Sequence, residues 1–217
     1  NQLTVAEDVG GLGLSFYLEP STGISAGVVA NSLDNISGTI VASVHDEGGE
    51  FLLASATVTY TAADGGAIDA NGSVDITREK LLATVAPYTV YLIEGTGATF
   101  DVAHNELNEI GGCINVRVDR DAAPFAAVEM NGTWSEATGF NGEGSAELLV
   151  EIPVPLGSYT LVIEPGAGAT VKLANSAVTE IGGQIPFRID EGTTPFMRGS
   201  LGGSYNVATE AVSGSAT

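Results

Sequence analysis

Residues Tyr88–Asp119 read YTVYLIEGTGATFDVAHNELNEIGGCINVRVD, and Tyr159–Asp190 read YTLVIEPGAGATVKLANSAVTEIGGQIPFRID. Laid over each other at a constant offset of 71, they agree without a gap at fourteen of thirty-two positions. Background composition would supply about two such matches. The shared residues include Tyr88/Tyr159, Gly95/Gly166, Gly97/Gly168, the run Glu109–Gly112 against Glu180–Gly183, and Arg117/Arg188. In the same register the match continues to Pro124/Pro195, Phe125/Phe196, Gly132/Gly203 and Trp134/Tyr205. Self-similarity at a fixed period marks a tandem array, so the unit to be folded is about seventy residues long.

A third, more diverged copy stands in front, at an offset of 145 from the last. Glu19-Pro20 falls on Glu164-Pro165, Gly23 on Gly168, and Ile36, Gly38 and Ile40 on Ile181, Gly183 and Ile185. Phe51 falls on Phe196, Tyr60 on Tyr205, and Leu3 and Val5 on Leu148 and Val150. The chain therefore reads as three copies, about 1–73, 74–145 and 146–217.

Each copy is built of short alternating runs, among them Thr89–Ile93, Ile114–Val118 and Ser158–Ile163, bounded by Gly, Pro or Asn. A period of two between turn residues predicts strands. Only Asp75–Val85, with Arg78-Glu79-Lys80 inside it, reads both ways and could start a helical turn. The fold class predicted is all-β. The apolar fraction of 44% supplies material for a packed core, which argues against disorder. What the copies retain is glycine beside Ile and an aromatic, which marks turns and core positions and not a catalytic constellation. The aromatic at Tyr60, Trp134 and Tyr205 reads as a core or sheet-face anchor. Arg117 and Arg188 read as local ion pairs with a neighbouring carboxylate.

The charge balance narrows the partners. Seven Lys or Arg stand against 27 Asp or Glu, a net charge of −20. Such a surface repels phosphate backbones, so no nucleic acid is expected as a partner. No apolar run approaches membrane-spanning length, and no membrane insertion is expected. The single cysteine, Cys113, lies in a predicted strand and reads as a small buried hydrophobe. The chain begins at Asn1 without Met; removal of a leader would account for that, and so would a trimmed chain. The expected location is extracellular, on a cell or virion surface.

Read from the Gly-Gly pair onward, the copies present an ordered set of signatures. They are Gly111–Asp119, Ala123–Val128, Thr138–Gly142, Ala146–Leu149 and then Pro155-Leu-Gly-Ser-Tyr159 running to Ile163. The preceding copy follows with Gly38–Val44, Asp69–Gly72 and Ala86–Val90, where Pro87 replaces the glycine before the tyrosine. This order resembles carboxypeptidase-regulatory-like and collagen-adhesin B-type modules. The resemblance implies Ig-like or prealbumin-like β-sandwich modules that serve as stalks, spacers or adhesive units, and it implies no activity. Some adhesin modules carry a Lys–Asn isopeptide bond. Lys80 and Lys172 are the two lysines here and are not equivalent in the repeat, so the bond is not predicted.

In that frame the complete modules are 36–109 and 110–180. Residues 1–35 hold the second half of a sandwich, a candidate donor segment, and 181–217 the first half, a candidate acceptor. Half a sandwich exposes apolar faces and unpaired edges. Two arrangements satisfy it: head and tail of successive chains meet, or head and tail meet within one chain; in a third reading the frame is wrong and each copy folds alone. The first reading predicts a head-to-tail filament or surface-fibre subunit whose partners are identical subunits. Its expected interface residues are Leu3, Val5, Leu14, Phe16, Ile185, Phe187, Phe196 and Tyr205. The alternative is an adhesin or decoration module that binds a glycan or protein ligand on a surface.

Catalytic motifs are missing: there is no nucleophile elbow, metalloprotease helix or phosphate loop, and His45 and His104 read as isolated surface histidines. The chain is therefore not expected to be an enzyme. No cofactor or metal is assigned. The residues nearest to a Ca²⁺ site are Asp46, Glu47, Asp119, Asp121, Asp190 and Glu191, in one recurring loop that also holds Glu50, for which a solvated acidic loop is the preferred reading. The sequons at Asn35, Asn71 and Asn131 are compatible with glycosylation.

Overall fold

A computed structural model describes residues 3–6 and 14–217, the former as backbone alone. The described residues form antiparallel strands with one short 3₁₀ turn, Ala62–Asp64, and no α-helix. The ambiguous stretch 75–85 resolves as the end of one strand, a bend and another strand. No helix among the described residues is long and apolar enough to cross a membrane.

The strands recur in sixes. The first three are β1 (Leu3–Ala6), β2 (Ser15–Leu18) and β3 (Gly23–Val29). A full set follows: β4 (Ser32–Asp46), β5 (Gly49–Thr61), β6 (Ala67–Ile76), β7 (Lys80–Val85), β8 (Tyr88–Leu92) and β9 (Gly97–Ala103). Next come β10 (Glu106–Arg120), β11 (Ala123–Ser135), β12 (Gly139–Leu148), β13 (Ile152–Leu156), β14 (Tyr159–Ile163) and β15 (Gly168–Ala174). The last three are β16 (Ala177–Glu191), β17 (Thr194–Asn206) and β18 (Ala211–Ala216).

The described residues divide into two compact units. One comprises the described residues up to 80 with 93–113 and 133–137; the other comprises 81–92, 114–132 and 138–217. In the first, β3, β4, β5, β6, β9 and the opening half of β10 pair in succession, and β1 pairs β2, which pairs the far half of β4. In the second, β12, β15, β16, β17 and β18 pair in succession, β13 pairs β14, β14 pairs the far half of β16, and β8 pairs the closing half of β10.

Registers recur at the spacings seen in the sequence. Glu106↔Ala103 through Cys113↔Gly97 repeats as Ala177↔Ala174 through Gln184↔Gly168, and as Ser32↔Val29 through Thr39↔Gly23. Each of these hairpins closes on two residues with positive φ: Ala30 and Asn31 (50° and 65°), His104 and Asn105 (51° and 67°), and Asn175 and Ser176 (51° and 61°). Both central residues of a type I′ turn lie in this region, and its twist matches that of the strands. His104 is thus a turn residue, with its side chain 74% exposed.

The repeated glycine of Gly38, Gly112 and Gly183 has a steric cause. A Cβ there would lie 2.5 Å from the Gly23 carbonyl oxygen, 2.8 Å from that of Gly97, and 2.9 Å from that of Gly168. A side chain would push the hairpin strand off the long strand at that rung.

Packing is thinner than the composition led us to expect. Among the described residues the buried apolar side chains are Val44, Ala67, Val162 and Ala167. Trp134 and Tyr205 stand 36% and 39% exposed and Tyr60 is half-buried, so this aromatic position is a sheet-face anchor. Cys113 is likewise half-buried. The reason is patterning. Several strands are apolar on both faces, including Ile24, Val28 and Val29 on β3 and Leu81, Leu82 and Val85 on β7, and only part of that surface finds a covering element.

Candidate functional site

Two strands carry the largest unmet demand. β3 pairs β4 along one edge, and its Ile24, Val28 and Val29 are 68%, 67% and 61% exposed. β18 pairs β17 along one edge; all six of its residues are exposed, Val212 at 80%. Their counterparts in the inner repeats are held on both edges: β9 lies between β6 and β10, and β15 between β12 and β16. An unpaired edge presents a row of backbone donors and acceptors to solvent and is a template for another strand.

The expected interface residues divide accordingly. Ile185, Phe196 and Tyr205 are 46%, 66% and 39% exposed. Phe187 is half-buried opposite Ile163 and Gly199, and Phe16 is half-buried opposite Val44. Leu14 is half-buried ahead of β2. Leu3 and Val5 are placed on β1 as backbone, and their side chains lie outside the described residues, as do residues 7–13 of the expected donor segment.

A second feature recurs beneath the short strands. Arg117 lies opposite Tyr91, Arg188 opposite Val162 and Ser43 opposite Tyr17, the same rung in each repeat. Arg117 Nε donates to Asp119 at 2.7 Å, with its guanidinium over the Tyr91 ring at 4.9 Å. Arg188 Nε donates to Asp190 at 3.1 Å, Nη2 to Glu151 at 2.7 Å and Nη1 to Glu164 at 3.4 Å. The hydrogen bond to Glu151, then that to Asp190, raise the Arg188 pKa, and Arg188 in turn holds the Glu151 carboxyl below its usual range. Both arginines make the local pairs that their repetition led us to expect. In the front repeat Ser43 replaces the arginine and His45 replaces the aspartate.

The carboxylates nearest to a Ca²⁺ reading stand as follows. Asp46 binds Lys80 and, at 2.5 Å, Arg78. The Lys80 hydrogen bond, the Gly48 N–H and Arg78 hold its carboxyl well below the usual range. Asp119 and Asp190 are engaged by Arg117 and Arg188, and Asp121 lies 3.8 Å from Arg120. Glu47 and Glu191 are exposed. Protein cations thus already face four of the six.

No protein-family model, curated protein or solved structure matches the chain. Sequence reading missed one group. His45, set aside as an isolated histidine, meets Glu19 and Glu50 so that one ligand atom from each lies within 4.8 Å of the others. The signal was available in the offset, which places His45 on the rung of Asp119 and Asp190.

Proposed function

We propose that the chain is a structural subunit that assembles head to tail, outside the cell or on a surface, with β18 of one copy adding to β3 of the next. In this reading each repeat is a prealbumin-like sandwich module, and the two end pieces, 1–35 and 181–217, complete one another across copies. The observation that carries it is the contrast between the inner strands, laddered on both edges, and β3 and β18, each of which shows one paired edge among the described residues and exposed apolar side chains. Contacts of this kind are heterologous and open-ended, and they generate filaments.

The inner repeats supply the register. Val58↔Ala70↔Val102 is one line of rungs in the first unit. Gly203↔Gly214 is its counterpart in the tail, and Val28, opposite Leu33 as Val102 is opposite Leu107, is its counterpart in the head. Gly214 of one copy is therefore expected to face Val28 of the next, with Ala216 facing Ala26. Val212, exposed on β18, lies beside that rung. The test is light scattering after size exclusion, with negative-stain microscopy of the 217-residue chain. Linear species that lengthen with concentration are expected; a monomer at every concentration would refute assembly.

A further inference from the structure

The front repeat holds a polar centre unlike its two counterparts. Glu19 follows β2, Ser43 and His45 lie on β4, and Glu50 lies on β5. Period-two alternation puts Ser43 and His45 on one face. Ser43 is fully buried; its hydroxyl donates to Glu19 Oε1 at 2.5 Å and lies 3.0 Å from His45 Nε2. His45 Nε2 is 4.0 Å from Glu50 Oε2, and the Tyr17 ring stands 4.5 Å from the imidazole, centroid to centroid.

The third repeat shows what this rung accommodates. There the guanidinium of Arg188 lies among Asp190, Glu164 and Glu151, and Glu164 is the counterpart of Glu19. The rung is a cation position. In the front repeat, shortening the arginine to serine removes the covalently attached cation. Replacing the aspartate by histidine adds a nitrogen donor beside the retained glutamate. Glu50, where the third repeat has Pro195, brings a second carboxylate from β5.

We propose that Glu19, His45 and Glu50 bind a divalent transition-metal cation of the Zn²⁺ class, which staples β2 to β4 and β5. One imidazole nitrogen and two carboxylate oxygens form a ligand set for such an ion, whereas Ca²⁺ takes six to eight oxygens. Bonds of about 2.0–2.1 Å in a tetrahedral arrangement put ligand atoms about 3.3 Å apart. His45 and Glu50 stand 4.0 Å apart and all three ligand atoms lie within 4.8 Å of one another, so binding requires the three side chains to draw together. Ser43 gives its one hydroxyl proton to Glu19, so its 3.0 Å hydrogen bond with His45 Nε2 needs the ring proton on Nε2; coordination through Nε2 moves that proton to Nδ1 and opens the Ser43 contact. The Ser43 hydroxyl orients Glu19 from behind, as outer hydrogen bonds do in metal sites.

This site is independent of the assembly reading. The test is equilibrium dialysis of the EDTA-treated full chain against ZnCl₂, with thermal unfolding in parallel. One tight equivalent and a raised Tm are expected. His45→Gln and, separately, Glu50→Gln should each weaken that equivalent at least about tenfold and abolish the Tm shift. Circular dichroism shows whether each variant folds. The paired change Ser43→Arg with His45→Asp writes the third repeat into the first, and it should keep the fold and lose the ion. Absence of a tight equivalent in the parent chain would overturn the proposal. So would an equivalent that folded His45→Gln and the paired variant both retain, since it would then belong to other carboxylates.

Discussion

β15 and β3 are the same strand in two circumstances. Both are seven residues long, and both close through a two-residue left-handed turn onto a fifteen-residue strand in one register. β15 has β12 on its other edge; β3 instead shows solvent its valines and isoleucine. Local sequence decides that a strand and its hairpin form. Whether its second edge is satisfied depends on a partner more distant in the chain or outside it. β3 and β18 are therefore complete as local structure, with one paired edge each among the described residues.

The comparison breaks most sharply at one pair of positions. Leu173 on β15 is the counterpart of Val28 on β3. Proline removes a backbone donor and fits only edges. Leu173→Pro is expected to destabilise the chain by about 3 kcal/mol, through the lost ladder bond and its orphaned acceptor. Val28 sits next to the turn-closing pair Val29↔Ser32, so its N–H points away from β4. Val28→Pro should therefore cost the isolated chain about 1 kcal/mol or less and yet abolish assembly. Urea titration checks the first effect and light scattering the second. Equal destabilisation at both positions would remove the distinction between inner and outer strands.

The aromatic pairs sharpen it further. Tyr88 and Phe125 meet at 5.7 Å and Tyr159 and Phe196 at 5.9 Å, but Phe125 is half-buried whereas Phe196 is 66% exposed. Phe125→Ala should cost about 2 kcal/mol in urea, and Phe196→Ala less than about 1 kcal/mol in the unassembled chain. In assembled material the Phe196 substitution should cost more.

Acid acts on the ion clusters of both units. Asp46 and Glu151 have folded-state pKa values below the ordinary carboxylate range. Their contribution is therefore complete at neutral pH, where both states are ionised. It is lost as pH falls below about 4, because the unfolded chain then takes up protons first. Tm should hold from neutral pH to about 5 and fall below that, and the fall should be shallower in Asp46→Asn. The smallest effects belong to Glu47→Gln and Glu191→Gln, both on exposed side chains. Each should stay within about 0.5 kcal/mol in denaturant titrations.

Much of the fold was legible because the offsets of 71 and 145 carry register as well as identity. The retained glycines mark rungs where a strand passes too close for a Cβ, and the turn residues Asn31, Asn105 and Asn175 mark left-handed positions. Two things were not legible. Apolar content predicted a filled core, but composition does not say which face a covering element reaches, as Ile24 and Val212 show. The group around His45 was hidden because its members come from three elements, and the histidine looked solitary until β2 and β5 were laid beside β4.

Cross-linking across the expected rung tests the head-to-tail account most directly. In a Cys113→Ala background, one chain carries Val28→Cys and another Gly214→Cys, a position where a Cβ meets nothing closer than the Gly202 carbonyl at 3.6 Å. Mild oxidation of the mixture should link one chain of each kind. Val29→Cys, one rung away and facing the other side, should link poorly. If the mixture yields no mixed dimer, or if a chain carrying both cysteines closes only upon itself at every concentration, β18 does not complete β3 of a neighbour and the filament account fails.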